Sequence, residues 1–251
     1  MVQSLNTKAL VTLASVIRRP SLMVPHVSVD NISEINYEAM KEHAGIRAVI
    51  FDKDNTLTAP YAMDLHPLAV SGLEHAKRVF GAENVAIMSN SAGTRDDPEY
   101  KDAQHIETAL GISVIRHEEK KPGGLQEVLS HFQMDDAASL CMVGDRLLTD
   151  VVFGNLYGML TIHTLPLCRG DDNQADNIPA KLIRSVENKG LYGNWFGGRM
   201  LQKNKPTHKY WAGELAFPLV LSPDQTSLSS STTTTTSPSE INNDANKENS
   251  Q

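Results

Sequence analysis

The chain has 251 residues, of which 40% are hydrophobic and 21% charged, so it can form one globular domain with flanking segments. No uncharged apolar run approaches the ~20 residues that a transmembrane helix needs. The formal net charge of −7 argues against broad binding to nucleic acid. Two cysteines, Cys141 and Cys168, are too few for a disulfide framework, so a reducing compartment is the simplest interpretation.

The beginning of the chain has the pattern of an amphipathic helix. Residues 1–29 contain three basic side chains and no Asp or Glu, and apolar residues recur at helical spacing over the first 17 positions. Pro20 ends the pattern. We expect a short helix that is either a targeting or membrane-surface segment or a helix packed on the protein's own core. The sequence leaves these two alternatives open.

Apolar runs and amphipathic stretches alternate through the central part of the chain, residues 30–190. The runs predict five strands, at Arg47–Phe51, Asn84–Met88, Ile112–Ile115, Ser139–Val143 and Met159–His163. Helical periodicity predicts helices at Leu68–Phe80, Tyr100–Leu110 and Gly124–Phe132. This alternation predicts an α/β fold in which helices cover both faces of a mainly parallel five-stranded sheet.

Two segments of different composition follow residue 190. In residues 191–221, aromatic and basic side chains are interspersed, and no acid occurs before position 212. This segment is either a membrane contact or a C-terminal wrap whose rings pack on the core, and we favour the wrap. Residues 222–251 are dominated by Ser, Thr and Asn. We expect this tail to be disordered, because it cannot bury enough apolar area to offset its ordering entropy.

The first predicted strand ends in two carboxylates, Asp52 and Asp54, separated by one residue. Acidic groups beside a buried strand are costly unless a cation pairs them, and oxygen ligands suit Mg²⁺. A carboxylate can also attack phosphorus as a nucleophile. Taken alone, however, a D-x-D motif is more often part of a solvated loop.

The next three strand ends carry complementary groups. Ser89 and Asn90 follow the second strand and can bind phosphate oxygens. Lys121 follows the third strand and supplies a positive charge. Asp145 follows the fourth strand, with Asp150 five residues further on. Since ligands of parallel sheets lie beyond the carboxyl ends of the strands, the joint occurrence of nucleophile, hydroxyl, cation and acid indicates a single site.

The order of these groups resembles the haloacid dehalogenase superfamily of phosphatases. The four motifs of that superfamily are similar to FDKDNTLT (51–58), Ser89-Asn90, Lys121-Pro122 and GDRLLTD (144–150). The resemblance covers about residues 46–165 and implies a Rossmann-like three-layer α/β/α fold. Asn55 stands where many members have glycine. The turn can survive this change, because Asn tolerates left-handed backbone angles.

The resemblance also implies a role for each motif residue. Asp52 would be the nucleophile, Asp54 the general acid and then the base, and Lys121 the cation that neutralises the nucleophile and the phosphoryl group. Mg²⁺ would be bound by Asp52, the backbone carbonyl of Asp54, and Asp145. The phosphate-binding residues would be Thr56, Ser89 and Asn90, and the residue that orients the lysine would be Asp150.

The spacing of the motifs leaves no room for a cap domain. Superfamily members that have one insert it after the first motif or after the third strand. Only about ten residues separate Thr56 from the next predicted helix, and Lys121 comes soon after the third strand. We therefore expect an open site with no cap domain, which favours a large substrate such as a protein, a nucleic acid end or a lipid headgroup. Some uncapped members nevertheless act on small molecules.

Longer strings resemble a narrower family, the mitochondrial phosphatidylglycerophosphate phosphatases of fungi and plants. They are FDKDNTLT, SNSAGT (89–94), RHEEKKPG (116–123) and GDRLLTDV (144–151). The resemblance implies Mg²⁺-dependent hydrolysis of the terminal phosphomonoester through an aspartyl-phosphate, giving phosphatidylglycerol on the way to cardiolipin. It also implies a phospholipid substrate and peripheral contact with the matrix face of the mitochondrial inner membrane. No nucleic acid partner is expected.

Basic residues beside the motifs are candidates for contact with the lipid headgroup. They are Arg116, Lys120 and Arg146, together with His117. The substrate carries a phosphodiester besides its phosphomonoester, and basic side chains bind both groups well. The alternative is that these residues form ordinary surface charge paired with neighbouring glutamates.

Two other functions are compatible with parts of this pattern. An uncapped phosphatase for a soluble or protein phosphomonoester would use the same motifs, and substrate preference would separate it from the lipid enzyme. A non-catalytic binding module that kept the fold is disfavoured, because Asp52, Asp54, Lys121 and Asp145 are all present.

Overall fold

A computed structural model describes residue 16, residues 18–168 and residues 205–222. Most of the predicted N-terminal helix, the first part of the aromatic and basic segment, and residues 223–251 of the predicted tail lie outside these ranges. Within them, no helix is both long enough and apolar enough to cross a membrane.

The described residues form one sheet of six parallel strands. The strands are β1 (Val27–Val29), β2 (Ala48–Phe51), β3 (Val85–Ile87), β4 (Ser113–Val114), β5 (Leu140–Gly144) and β6 (Leu160–Thr164). Their order across the sheet is β1-β6-β5-β2-β3-β4. The predicted α/β fold with a parallel sheet is confirmed, but the sequence predicts five strands where the structure has six. The missed strand, β1, has three residues at the sheet edge, too few for a clear alternating pattern.

Helices pack on both faces of this sheet. Within the described ranges they are α1 (Tyr37–His43), α2 (Pro67–Phe80), α3 (Lys101–Leu110), α4 (Leu125–Phe132) and α5 (Val152–Tyr157). The predicted bounds of α2, α3 and α4 differ from these by one residue. The other two helices were not predicted, because six or seven residues make at most about two turns of apolar pattern. A π-helical turn, Leu147–Val151, leads into α5.

Alternation of side chains along the strands builds a core on each face. Val49 and Phe51 of β2 belong to one apolar cluster, which includes residues of α1, α2 and α3. Ala48 and Ile50 belong to a second cluster, which includes residues of α4 and α5. Strands that are buried on both faces read as nearly continuous apolar runs, which explains why the sequence reveals them. The result is the expected three-layer α/β/α arrangement.

The two places where a cap domain could be inserted hold short connections. Residues 52–66 join β2 to α2, and residues 115–124 join β4 to α4. The first connection folds back on itself through isolated bridges between Asp54 and Thr58 and between Thr58 and Leu65. Neither of these described connections contains an inserted domain, so the carboxyl edge of the sheet has no cap at either place.

The described C-terminal segment, residues 205–222, packs against the first part of the domain. Val220 forms an antiparallel bridge with Ile35, and the backbone N–H of Asn36 donates to the carbonyl of Leu219 at 2.8 Å. Trp211 and Leu219 are buried in the same cluster as β2. This segment therefore contributes to the core.

Replacing Leu219 with alanine tests that contribution. Leu219 is 0% exposed, so Leu219→Ala should lower the free energy of unfolding by about 3 kcal/mol through lost burial and a cavity. Chemical denaturation measures the change. The matched control is Leu215→Ala, because Leu215 is fully exposed and should change stability by less than about 0.5 kcal/mol. Equal effects of the two substitutions would contradict the packing of this segment.

Candidate active site

The register of the sheet brings the predicted site residues to one edge. Phe51, the last residue of β2, lies opposite Ile87 of β3 and Val143 of β5. The backbone N–H of Asp52 donates to the carbonyl of Val143 at 2.8 Å, so the ladder continues to the first site residue. The polar residues that follow these three strands therefore start from adjacent positions at the carboxyl edge.

Lys121 lies between two of the predicted carboxylates. Its ammonium nitrogen is 2.5 Å from Asp52 Oδ1 and 2.6 Å from Asp150 Oδ1, and all three side chains are buried. Burial alone would lower the pKa of Lys121, but the carboxylates of Asp150 and Asp52 outweigh it and raise the pKa above its usual value. The lysine therefore stays charged and forms ion pairs with both Asp52 and Asp150.

Three buried acids form a possible metal site beside this lysine. The described residues contain one such set, in which oxygen atoms of Asp52, Asp145 and Asp150 lie within 4.8 Å of one another. Burial raises the pKa of Asp52 because an ionised carboxylate loses its hydration, and Lys121 opposes that shift. Three carboxylates and one ammonium together carry a formal charge of −2.

This donor set fits a hard divalent cation. All of its ligand atoms are carboxylate oxygens, which Mg²⁺ prefers, and a divalent ion would balance the residual charge. Asp52 and Asp145 were predicted as ligands, with the Asp54 carbonyl as the third group. The cluster of side-chain carboxylates also contains Asp150, whereas the ligand expected from Asp54 is a backbone carbonyl and stays a prediction. Asp150 was predicted to orient Lys121, and its contact with the ammonium is compatible with that role.

The position of Asp150 depends on a glycine. A Cβ atom added at Gly144, the last residue of β5, would overlap the Asp150 carboxylate. That carboxylate also accepts the backbone N–H of Arg146 at 3.1 Å and the hydroxyl of Thr149 at 3.2 Å. The glycine of the GDRLLTD motif therefore provides the space in which the acid folds back towards β5.

The predicted phosphate-binding residues lie in the loops that follow β2 and β3. Thr56 is buried, and its hydroxyl has no hydrogen-bond partner among the residues described. Ser89 Oγ accepts the backbone N–H of Ser91 at 3.2 Å. Asn90 Oδ1 accepts the backbone N–H of Lys121 at 2.9 Å, and this bond links the loop after β3 to the lysine. Asn55 has a φ of 63°, so the asparagine does occupy the left-handed position often held by glycine.

The predicted general acid, Asp54, has partners outside the acidic cluster. Its Oδ1 lies 2.5 Å from the ammonium of Lys53 and accepts the backbone N–H of Tyr61 at 2.9 Å. Asp54 is half-buried, whereas Asp52 is buried. The two acids of the D-x-D motif therefore lie in different environments: Asp52 pairs with Lys121 in the acidic cluster, and Asp54 pairs with Lys53 outside it.

His117 joins the two loops of the site, a role that the sequence did not reveal. The side chain is 3% exposed, and its ring nitrogens lie 2.8 Å from the Ser89 carbonyl oxygen and 2.6 Å from that of Glu119. The His117 backbone N–H also donates to the carbonyl of Gly93. Burial lowers the pKa of His117. With both nitrogens facing protein carbonyls, this residue is a link between loops, and it is not available to a headgroup.

Arg116 is paired within the protein. Its guanidinium forms a two-point ion pair with Glu107, at 2.7 and 2.9 Å, and lies over the ring of Tyr100. Glu107 Oε1 also accepts the backbone N–H of Val114 at 2.8 Å, and Arg116 donates to the backbone carbonyl of Val114 at 2.5 Å. These contacts tie Arg116 to β4, so it is a weaker headgroup candidate than the sequence suggests.

The other two headgroup candidates differ in position. Lys120 forms an exposed ion pair with Asp96 at 2.6 Å. Arg146 is half-buried, and its positive charge lowers the pKa of Asp52, although less than Lys121 does. Arg146 is therefore close enough to Asp52 for its charge to act on that carboxylate. Headgroup contact by these residues stays a prediction.

A histidine near the end of β6, His163, supports one residue of the acidic cluster. His163 is fully buried, and its Nε2 lies 3.1 Å from the backbone carbonyl of Asp145. Burial lowers the pKa of His163 to about 4, so the ring is neutral at physiological pH and donates this bond. The histidine therefore supports the backbone that carries Asp145.

A comparison with protein families agrees with this geometry. The family described as mitochondrial PGP phosphatase, where PGP is phosphatidylglycerophosphate, matches residues 7–167, well over half of the chain. The chain belongs to this family. The matched region of this PGP phosphatase family member contains all the predicted site residues, from Asp52 to Asp150.

Curated relatives of the chain are named as phosphatidylglycerophosphate phosphatases. The chain is 46% identical over 149 residues to phosphatidylglycerophosphate phosphatase 1, chloroplastic, of Chlamydomonas reinhardtii, covering 59% of this chain and 54% of that protein. It is 40% identical over 196 residues to the chloroplastic/mitochondrial enzyme of Arabidopsis thaliana, covering 75% and 56%. A probable mitochondrial phosphatidylglycerophosphatase of Schizosaccharomyces pombe is 30% identical over 166 residues, covering 61% and 79%. The chain thus spans just over half of the algal and plant relatives.

Thermal unfolding with and without Mg²⁺ tests the metal site. A ligand that binds only the folded state stabilises it by about 2.7 kcal/mol at 100 times its Kd, so Mg²⁺ should raise the Tm of the wild type. Asp145→Asn should abolish most of this rise. The control is Asp135→Asn, an exposed acid outside the cluster, which should keep it. A Tm of the wild type that does not respond to Mg²⁺ would contradict the site.

Substitution of His117 tests its link between the loops. His117→Ala should lower kcat/KM for a soluble phosphomonoester by about 10²-fold, because small displacements of Ser89 and Lys121 are costly to catalysis. His75→Ala is the matched control, since His75 is also buried and binds Glu38 away from the site. It should lower the Tm and leave kcat/KM unchanged. If both variants lose activity in proportion to Tm, the link has only a structural role.

Proposed function

We propose that the protein is a Mg²⁺-dependent phosphatidylglycerophosphate phosphatase that hydrolyses the terminal phosphomonoester of this lipid to phosphatidylglycerol, in the pathway to cardiolipin. The observation that carries the proposal is the buried contact of Asp52 with Lys121, beside Asp145 and Asp150, at the carboxyl edge of the sheet. Aspartyl-phosphate chemistry needs a carboxylate nucleophile, a fixed cation and metal ligands around one point, and this set offers groups suited to each role. The names of the relatives supply the substrate class.

In the first half of the reaction, an oxygen of Asp52 attacks the phosphorus of the terminal phosphate. An aspartyl-phosphate bond forms while the ester P–O bond breaks. Asp54 donates a proton to the leaving glycerol oxygen, so the lipid departs as a neutral alcohol. Lys121, already fixed by Asp52 and Asp150, stabilises the negative charge of the transferring group.

In the second half, water attacks the same phosphorus. Asp54 accepts the proton of the water, the bond to Asp52 breaks, and inorganic phosphate leaves. The hydroxyls of Thr56 and Ser89 hold phosphate oxygens during both halves, and Asn90 keeps the lysine loop in place through its bond to the Lys121 N–H. The carboxylates of Asp52 and Asp145 would hold Mg²⁺, which would supply further positive charge to the transferring group.

The open edge of the sheet favours a lipid substrate. A phosphate at the end of a headgroup that stays in a bilayer can reach the site only if no cap closes it, and the two described insertion points hold none. We place the enzyme on the matrix face of the mitochondrial inner membrane as a peripheral protein. The mitochondrial description of the family supports the organelle, and the matrix face is part of our proposal.

Phosphate release from phosphatidylglycerophosphate in mixed micelles tests the proposal. The lipid is compared with a panel of soluble phosphomonoesters, each assayed with Mg²⁺ and with a chelator. The blank is Asp52→Asn, whose amide cannot attack phosphorus and which should lose at least about 10³-fold in kcat. We expect Mg²⁺-dependent release with a strong preference for the lipid.

The possible outcomes separate the competing functions. Equal turnover of soluble esters and lipid would keep the phosphatase chemistry and reject the lipid assignment. Near-normal turnover by Asp52→Asn would reject the nucleophile. A wild type that binds Mg²⁺ but hydrolyses no phosphomonoester would indicate a binding module.

A further inference from the structure

Lys53 is a buried cation that the mechanism above does not use. It lies between the two acids of the D-x-D motif and is 4% exposed. Its ammonium nitrogen lies 2.5 Å from Asp54 Oδ1, 2.9 Å from the Ala62 carbonyl oxygen and 3.3 Å from Thr58 Oγ1. A lysine one residue from the nucleophile is thus directed towards the predicted general acid.

These three contacts use the whole donor capacity of the side chain. An ammonium group has three N–H donors, and here each has one oxygen acceptor. A buried charge is tolerated only when it is paired and hydrogen-bonded in this way. No donor is left over for a substrate phosphate, so the function of Lys53 differs from that of Lys121.

The contacts also fix one oxygen of Asp54. Oδ1 receives both the Lys53 ammonium and, at 2.9 Å, the backbone N–H of Tyr61. The same turn is closed by bridges of Thr58 with Asp54 and with Leu65. Because the contacts with Lys53 and Tyr61 both fall on Oδ1, the carboxylate is held at that oxygen. Oδ2 is then the oxygen that can carry a proton to the substrate.

We infer that Lys53 is a positioning residue for Asp54. It holds Asp54 Oδ1 against the turn formed by residues 58–62, so that Asp54 Oδ2 meets the leaving oxygen. The inference rests on the proposed function, since it assumes that Asp54 is the general acid. A lysine that only stabilised the turn would affect all substrates alike. A lysine that positions the acid affects those substrates whose leaving group needs a proton.

The leaving-group dependence of kcat/KM distinguishes these roles. For soluble phosphomonoesters, kcat/KM reports the steps up to transfer of the phosphoryl group to Asp52. A nitrophenolate leaves without a proton, whereas an alkoxide requires one. Lys53→Met, which keeps length and removes the charge, should lower kcat/KM for glycerol 3-phosphate by about 10²-fold and that for p-nitrophenyl phosphate by less than about threefold.

Three further variants and a control sharpen the test. Asp54→Asn should show the same selective loss, and Lys53→Met added to Asp54→Asn should cause no further loss, since the two residues act as one unit. Lys53→Gln keeps two N–H donors but no charge, so its kcat/KM for glycerol 3-phosphate should lie between the values of wild type and Lys53→Met. It also serves as the second variant if Lys53→Met does not fold. The control is Lys41→Met, which removes a lysine that binds the carbonyl of Val79 on the outside of the domain. It should leave kcat/KM for both esters unchanged.

Two results would overturn the inference. One is an equal loss for both esters in the folded Lys53 variants, and the other is an additional loss in the double variant. Failure of the proposed function would look different. A wild type that hydrolyses soluble esters but ignores the lipid removes the lipid assignment and leaves the Lys53 test intact, whereas a wild type inactive on every ester removes both.

Discussion

Four charged groups are buried together at the carboxyl edge of the sheet, the carboxylates of Asp52, Asp145 and Asp150 and the ammonium of Lys121. Like charges of this kind repel strongly in a medium that excludes water. They can persist only where the backbone holds each of them firmly and a cation is available to offset the excess. The remaining features of the site follow from this constraint.

Each of the four groups is carried by a different part of the fold. Asp52 continues the central strand β2, Asp145 directly follows β5, Asp150 lies in a π-helical turn, and Lys121 follows β4. Their mutual positions are therefore maintained by long-range contacts: the ladder between β2 and β5, the bond between His163 and the Asp145 carbonyl, and the loop links of Asn90 and His117. Rigidity of this kind is what a reaction that depends on positioning needs.

The strands and the long helices were predictable because they are repetitive in sequence. A strand buried on both faces shows an apolar run, and polar residues placed after such runs must gather at one edge. The short elements β1, α1 and α5 were not predictable, because too few residues carry their pattern. The contacts of His117 and Lys53 were not predictable either. Their sequence positions are compatible with solvent, headgroup or core, and only the folded loops decide which atoms they meet.

The pairing of Glu107 with Arg116 bears on how copies of the protein behave towards one another. β4 is an outer strand, and an outer strand offers backbone groups to any extended chain that approaches it. At Val114 both groups are already bound by these two side chains, which stand in for a neighbouring strand. The ion pair therefore disfavours the pairing of β4 with a strand of another molecule. A substitution at Arg116 would leave the carbonyl of Val114 unpaired at the edge of the sheet. A loss of activity in such a variant should therefore be checked for aggregation before it is attributed to lost lipid recognition.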